Sequence, residues 1–107
     1  MDLVLRAIAE PRRRAILRLI QDRELSSGEI AAQFEGSRPA ISQHLKYLVK
    51  AGLVTMRRNG TRRLYRARPE GLAEVRGFLD EFWADSLQRL KAAAEKEERK
   101  SGHAAVE

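Results

Sequence analysis

Asn59-Gly60 separates two strand-like runs, Leu53–Arg58 and Thr61–Arg66. An Asn-Gly pair in that setting is a strong hairpin signal, because both residues tolerate the positive φ angles that a tight two-residue turn requires. The segments on either side carry helical periodicity instead. The chain therefore reads as mainly α with one small β-hairpin, which leaves few architectures open. Its 107 residues suffice for one domain, expected over 1–100 with a flexible tail over 101–107.

Before the hairpin, four short helices are expected. Leu3, Val4, Leu5 and Ile8 suggest the first. Pro11 suits the first turn of the second, where a missing N–H costs nothing, and Ile16, Leu17, Leu19 and Ile20 give that helix an apolar face. Ser26 and Glu29 have capping-box spacing and open a third through Ile30, Ala31 and Phe34. Gly36 breaks it. Ser37 caps a fourth, with Pro39 in its first turn, Ile41, Leu45, Leu48 and Val49 on one face, and Gly52 at its end. After the hairpin, Pro69 restarts a helix in which Leu72, Val75, Leu79, Phe82, Trp83, Leu87 and Leu90 recur at steps of three and four.

Charge follows this organisation. Between Ser37 and Pro69 there are nine basic residues and no acidic one, whereas the remaining 12 of the 21 basic residues face all 15 acidic ones. The net charge of +6 thus originates in the middle third, which suits a polyanionic partner. The third and fourth helices, joined by Phe34–Ser37, have helix-turn-helix spacing. With Ile41, Leu45 and Leu48 inward, the wheel turns Pro39, Gln43, Lys46, Tyr47 and Lys50 outward, with Arg38 and Ser42 on one flank and His44 on the other. Gln and Arg can read adenine and guanine edges in the major groove. Taken alone, that face also suits an ordinary solvated surface. The hairpin adds weight: charge that merely blocks edge-to-edge aggregation accounts for one or two of its arginines, not for a whole acid-free set. An Arg-dense tip suits phosphates and a narrow minor groove.

The last helix is nearly thirty residues long on this reading, more than a small domain can cover. Phe78, Leu79, Phe82, Trp83, Leu87 and Leu90, joined by Leu3, Leu5 and Ile8, are the expected homodimer interface.

Several runs carry a resemblance: Glu10 to Leu17, Leu25 to Ala31, Ser37 to Leu48, Ala51 to Val54, and Gly60 to Tyr65. Together they resemble the ArsR/SmtB-type winged helix-turn-helix repressors over about residues 3–90. The resemblance implies a homodimeric regulator joined through its terminal helices, with helix 37–51 in the major groove of a palindromic operator and wing 53–67 on the backbone and minor groove. The DNA-reading positions implied are Arg38, Pro39, Ser42, Gln43 and Lys46, with Ser37 and His44 near the backbone. The implied wing spans Arg57 to Arg63. Arg57, Arg58, Arg62 and Arg63 with Lys50 complete the expected DNA-binding set.

Metal-sensing relatives carry a cysteine in the third helix or Asp and His ligands on the last. This chain has no Cys, and Asp80, Glu81 and Asp85 have no His among them. Carboxylates alone hold borderline metals poorly, so no metal and no cofactor is expected. A small-molecule effector is compatible with an apolar pocket lined by Phe78, Phe82 or Trp83, but nothing names it. No nucleophile–base pair or phosphate loop suggests an enzyme. No uncharged run approaches the ~18 residues of a membrane span, and Met1–Arg6 lacks signal-peptide order, which together favour a cytoplasmic protein. Two other readings use the same features: a non-sequence-specific architectural or RNA-binding winged helix, and a protein-interaction module built on the last helix.

Overall fold

The structure is a computed structural model that describes the backbone of residues 1–106 and the side chains of residues 1–99. Its elements, in order, are α1 (Asp2–Ala9), α2 (Pro11–Leu19), β1 (Leu25–Ser26), α3 (Ser27–Ala32), α4 (Arg38–Lys50), β2 (Val54–Asn59), β3 (Arg62–Ala67), a 3-10 turn (Pro69–Leu72) and α5 (Ala73–Val106). This is a winged helix-turn-helix. The chain forms two compact units, Met1–Val75 and Arg76–Glu107.

The first unit holds the core. Ile16 and Ile20 from α2 and its C-cap, Ile30 from α3, Leu45 and Leu48 from α4, and Leu53 just beyond it are fully enclosed. Burying one such side chain is worth about 1.5–3 kcal/mol, so these few residues dominate the folding energy of a small unit. Val54 and Tyr65 extend the core onto the hairpin, and Val4, Leu17 and Leu72 pack around it.

Helix ends follow the local chemistry. Ser26 Oγ accepts from Glu29 N at 3.1 Å while Ser26 N donates to Glu29 Oε1 at 2.9 Å, a complete capping box on α3. Ser37 Oγ accepts from Ala40 N at 3.2 Å and starts α4. At its far end Gly52 has φ +77°. There Gly52 N donates to Val49 O and Leu53 N to Leu48 O, both at 3.0 Å, the paired bonds of a Schellman stop. Α1 is closed differently. Its carbonyls are capped by arginines of α2: Arg13 donates to Arg6 O and Ala7 O, and Arg14 to Ile8 O, at 2.8–2.9 Å. Cationic donors suit the negative end of a helix.

Three details differ from the sequence expectation. The hairpin pairs Asn59 with Arg62, so its two-residue loop is Gly60-Thr61 and not Asn59-Gly60. Gly60, at φ +66°, alone takes the positive angle, and Asn59 closes the ladder. The sheet has three strands in the order β1-β3-β2, because Leu25 and Ser26 pair with Tyr65 and Leu64. Two residues are too few to show an alternating pattern. Pro69 opens a single 3-10 turn before α5 begins at Ala73.

In the second unit, α5 continues as one helix to Val106, through most of the segment expected as a tail. Glu107 and the side chains of residues 100–107 lie outside the described residues. Phe78 and Phe82 stack with ring centroids 6.2 Å apart. Arg76 pairs with Asp80 and Arg89 with Asp85, each one helical turn apart, so two of the acids considered above as ligands hold neighbouring cations instead.

Gly71 supplies a test of how the 3-10 turn is seated. A Cβ there would fall 2.2 Å from Gly52 O, a backbone atom that cannot turn aside. Gly71→Ala is therefore expected to destabilise the protein by about 1–3 kcal/mol, as overpacking does. Urea denaturation should show a lower midpoint with an unchanged slope.

Candidate nucleic-acid interface

The orientation of α4 builds the site. Ile41, Leu45 and Leu48 are buried. Helical spacing then turns Arg38, Pro39, Ser42, Gln43, Lys46 and Lys50 to solvent, and all six are exposed. Val49, expected on the apolar face, is 38% exposed; it sits one position beyond Leu48 and misses the core.

Tyr47 also departs from the wheel. It is half-buried, with the Arg13 guanidinium 4.2 Å above its ring. Arg13 Nη1 lies 3.4 Å from His44 Nδ1. One α2 side chain thus touches α1 carbonyls, the Tyr47 ring and the His44 imidazole, which faces α2. Arg12 lies 4.8 Å over the Phe34 ring at the turn between α3 and α4. The basic run Arg12-Arg13-Arg14 therefore works inside the unit, clamping α1 and α4 onto α2.

The hairpin divides by face. Directly paired residues share a side of the sheet, so Val54, Met56, Arg58, Arg63, Tyr65 and Ala67 lie on one face, and Thr55, Arg57, Asn59, Arg62, Leu64 and Arg66 on the other. The first face looks toward α4. Between them runs a groove of about 370 Å³ lined by Ser27, Ser42, Gln43, Lys46, Val49, Met56, Arg63 and Tyr65. It contains two cations, an amide and two hydroxyls from serines, and no carboxylate. Arg38, on the α3 side of α4, lies close to Gly28, where an added methyl would stand 3.3 Å from its Nη2.

The second face is compensated by acids from outside the hairpin. Arg57 Nε and Nη2 donate to the two Glu24 oxygens at 2.8 and 2.7 Å, a bidentate pair. Arg62 Nη2 donates to Glu29 Oε1 at 2.6 Å. The Arg57 hydrogen bond holds the Glu24 carboxyl below its ordinary range, and the Glu24 carboxylate in turn raises Arg57. Glu29 is lowered by the Ser26 backbone N–H first, then by the Ser26 hydroxyl and Arg62. Both carboxylates were missed as partners of the wing in the sequence, because each lies 33 residues from its arginine.

The expected DNA-binding residues thus fall into three groups. Arg38, Pro39, Ser42, Gln43, Lys46, Lys50, Arg58 and Arg63 are exposed. Ser37 and His44 serve the ends and flank of α4. Arg57 and Arg62 are paired with carboxylates. The expected interface residues Phe78, Leu79, Phe82, Trp83, Leu87 and Leu90 are 46–64% exposed. Leu5 is 42% exposed, Leu3 is half-exposed, and Ile8 is turned partly into the core.

A helix-turn-helix whose second helix presents polar side chains beside a cationic two-stranded wing is the architecture of DNA-binding transcriptional regulators. The comparisons with known proteins agree. The family described as "Bacterial regulatory protein, arsR family" matches residues 10–56. The HTH-type transcriptional regulator Rv2034 of Mycobacterium tuberculosis is 46% identical over 86 residues, covering 80% of each chain. The arsenical resistance operon repressor of Staphylococcus xylosus is 34% identical over 80 residues, covering 75% of this chain and 77% of its own. Among solved structures, an ArsR-like transcriptional regulator from Rhodococcus sp. RHA1 superposes with a TM-score of 0.81 at 29% identity, covering 91% of this chain and 89% of its own. The chain belongs to the arsR family of bacterial regulatory proteins, which are regulators of transcription and not enzymes.

Arg13→Lys tests the clamp. Lysine keeps the charge and three donors, but they sit on one compact ammonium that cannot span the separated acceptors of the Arg13 fork or stack as a plane. A loss of about 1–2 kcal/mol in stability is expected, since two hydrogen bonds to carbonyls are at stake. The His44 imidazole resonances should shift in the NMR spectrum.

Proposed function

We propose that the chain is a homodimeric repressor that covers a palindromic operator, with α4 in the major groove and the hairpin wing on the adjacent backbone and minor groove. The groove between α4 and the wing carries this reading: Ser42, Gln43, Lys46 and Arg63 line it together, with no carboxylate. Gln43 and Arg38 are the base readers, Ser42 and Lys46 their neighbours, and Arg58, Arg63 and Lys50 the phosphate contacts. Pro39 sits in the first turn of α4 and Ser37 holds its start. Repression is supported by the Staphylococcus xylosus relative, an operon repressor.

Dimerisation is supported by the exposed stripe on α5, where Phe82 is 61% and Trp83 64% exposed. A second copy of the same helix covers such a stripe with self-complementary chemistry. No helix among the described residues is long and apolar enough to cross a membrane, which accords with action on DNA in the cytoplasm.

Sheared genomic DNA from the source organism, captured by the protein at near-physiological salt and sequenced, tests the reading. An enriched inverted repeat is expected; uniform recovery without a motif would contradict it. On the recovered site, Gln43→Ala should reduce discrimination against a changed base pair by about 1–3 kcal/mol. Arg63→Gln should weaken all duplexes alike and lower the log–log salt slope by about 1.8, one phosphate contact from each subunit of the dimer. Phe82→Glu should raise the dimer dissociation constant at least about a hundredfold, measured by analytical ultracentrifugation, because the interface loses a buried aromatic from each subunit, about 1.5–3 kcal/mol apiece.

A further inference from the structure

The DNA-binding reading treats the wing as a source of cations, yet two of its arginines are already bound. We propose that Glu24 and Glu29 are built-in competitors of DNA phosphate: they occupy Arg57 and Arg62 and so set how strongly the wing grips any duplex. The inference rests on the proposed function and deepens it.

Carboxylate and phosphate offer the guanidinium fork the same chemistry, two anionic oxygens at matching separation. Glu24 uses both oxygens on Arg57. Glu29 is fixed independently of the wing, because Ser26 N donates to its Oε1 at 2.9 Å in the capping box. That same oxygen accepts from Arg62. The α3 cap therefore holds a stationary anion against the wing, and no side-chain ordering is needed to present it. The arginine side of each pair is open to solvent, Arg57 60% and Arg62 56% exposed, with Glu29 49% and Glu24 26% exposed. Pairs that solvent can reach are weak, so a phosphate can displace them. The arginines of the opposite hairpin face, Arg58 and Arg63, have no carboxylate partner among the described residues. The wing thus has two free cations toward α4, and behind it two arginines paired with carboxylates beside Arg66, whose charge also acts on Glu24.

The consequence is sequence-blind, because phosphate contacts carry no base information. Removing a competitor should raise affinity for every duplex and make it more salt-dependent.

The test uses Glu29→Gln, since glutamine can keep the capping box and the variant should melt like the parent. The probe is a fluorescent 30-base-pair duplex of random sequence, titrated with full-length protein from 50 to 200 mM salt. Glu29→Gln should tighten binding about two- to thirtyfold at the lowest salt, the range set by one exposed pair in each subunit of the dimer. The salt slope should steepen by about 1.8, one further phosphate neutralised by each subunit. In an Arg62→Gln background the same substitution should change neither quantity. Glu24→Gln with Arg57→Gln forms a second, independent cycle should the first variant fold poorly. An equal gain in both backgrounds would mean a general effect of net charge and would overturn the proposal. So would an unchanged or weaker affinity in Glu29→Gln, which would make the pair a support for the wing. In both cases the parent still binds and the DNA-binding reading stands. Failure of the parent to bind any duplex would overturn that reading and this proposal together.

Discussion

Ile41, Leu45 and Leu48 leave solvent on one side of a thirteen-residue helix, and that burial fixes the direction of every other side chain on α4. The helix cannot roll without exposing three large apolar residues, at about 25 cal/mol for each Å² returned to water. Its two ends are fastened separately, by the Ser37 cap and by the Schellman bonds around Gly52. The same Gly52 carbonyl receives the Arg68 guanidinium at 3.1 Å and packs against Gly71. The stop of α4 is therefore also the anchor of the segment that follows β3.

Arg13 adds a second constraint of a different kind. Hydrophobic burial fixes roll but is nondirectional, whereas the Arg13 fork has set angles. With two donors on α1 carbonyls and its plane on Tyr47, it links the position of α1 to that of α4. A cation against the end of an eight-residue helix also stabilises a helix too short to be stable alone. The chemistry that makes arginine a DNA ligand is used here to assemble the scaffold, and an arginine's function cannot be told from its identity.

Much of the fold was legible because local signals agreed with one another. The Ser26–Glu29 box, Ser37 before Pro39, and Gly52 after the apolar run each mark a helix end through bonds made within four or five residues. The buried face of α4 followed from spacing alone. The differences arise where the deciding partner is distant. Tyr47 has the helical phase of an outward residue, but Arg13, 34 positions earlier, covers it. Β1 is two residues long and exists only because β3 offers it an edge. The hairpin loop shifted by one because Asn59 finds a cross-strand partner in Arg62, leaving the positive φ to Gly60 alone. The same shift decides which arginines share a face, since alternation carries every side chain with the register.

Charge shows the limit of reading along the chain most clearly. The stretch from Ser37 to Pro69 has no acid, and counted in sequence it is uniformly cationic. In space it has two sides. Sheet alternation sends Arg58 and Arg63 toward α4 and Arg57 and Arg62 away from it, and the fold brings Glu24 and Glu29 to the latter pair. A hairpin with five uncompensated arginines would suffer repulsion across paired strands, where like charges directly opposite are destabilising. Arg58 faces Arg63 in that way. The carboxylates of the rear face leave that front pair unrelieved and able to attract phosphate. The potential that a duplex meets is therefore set by the placement of two carboxylates at the start of the helix-turn-helix as much as by the number of arginines on the wing.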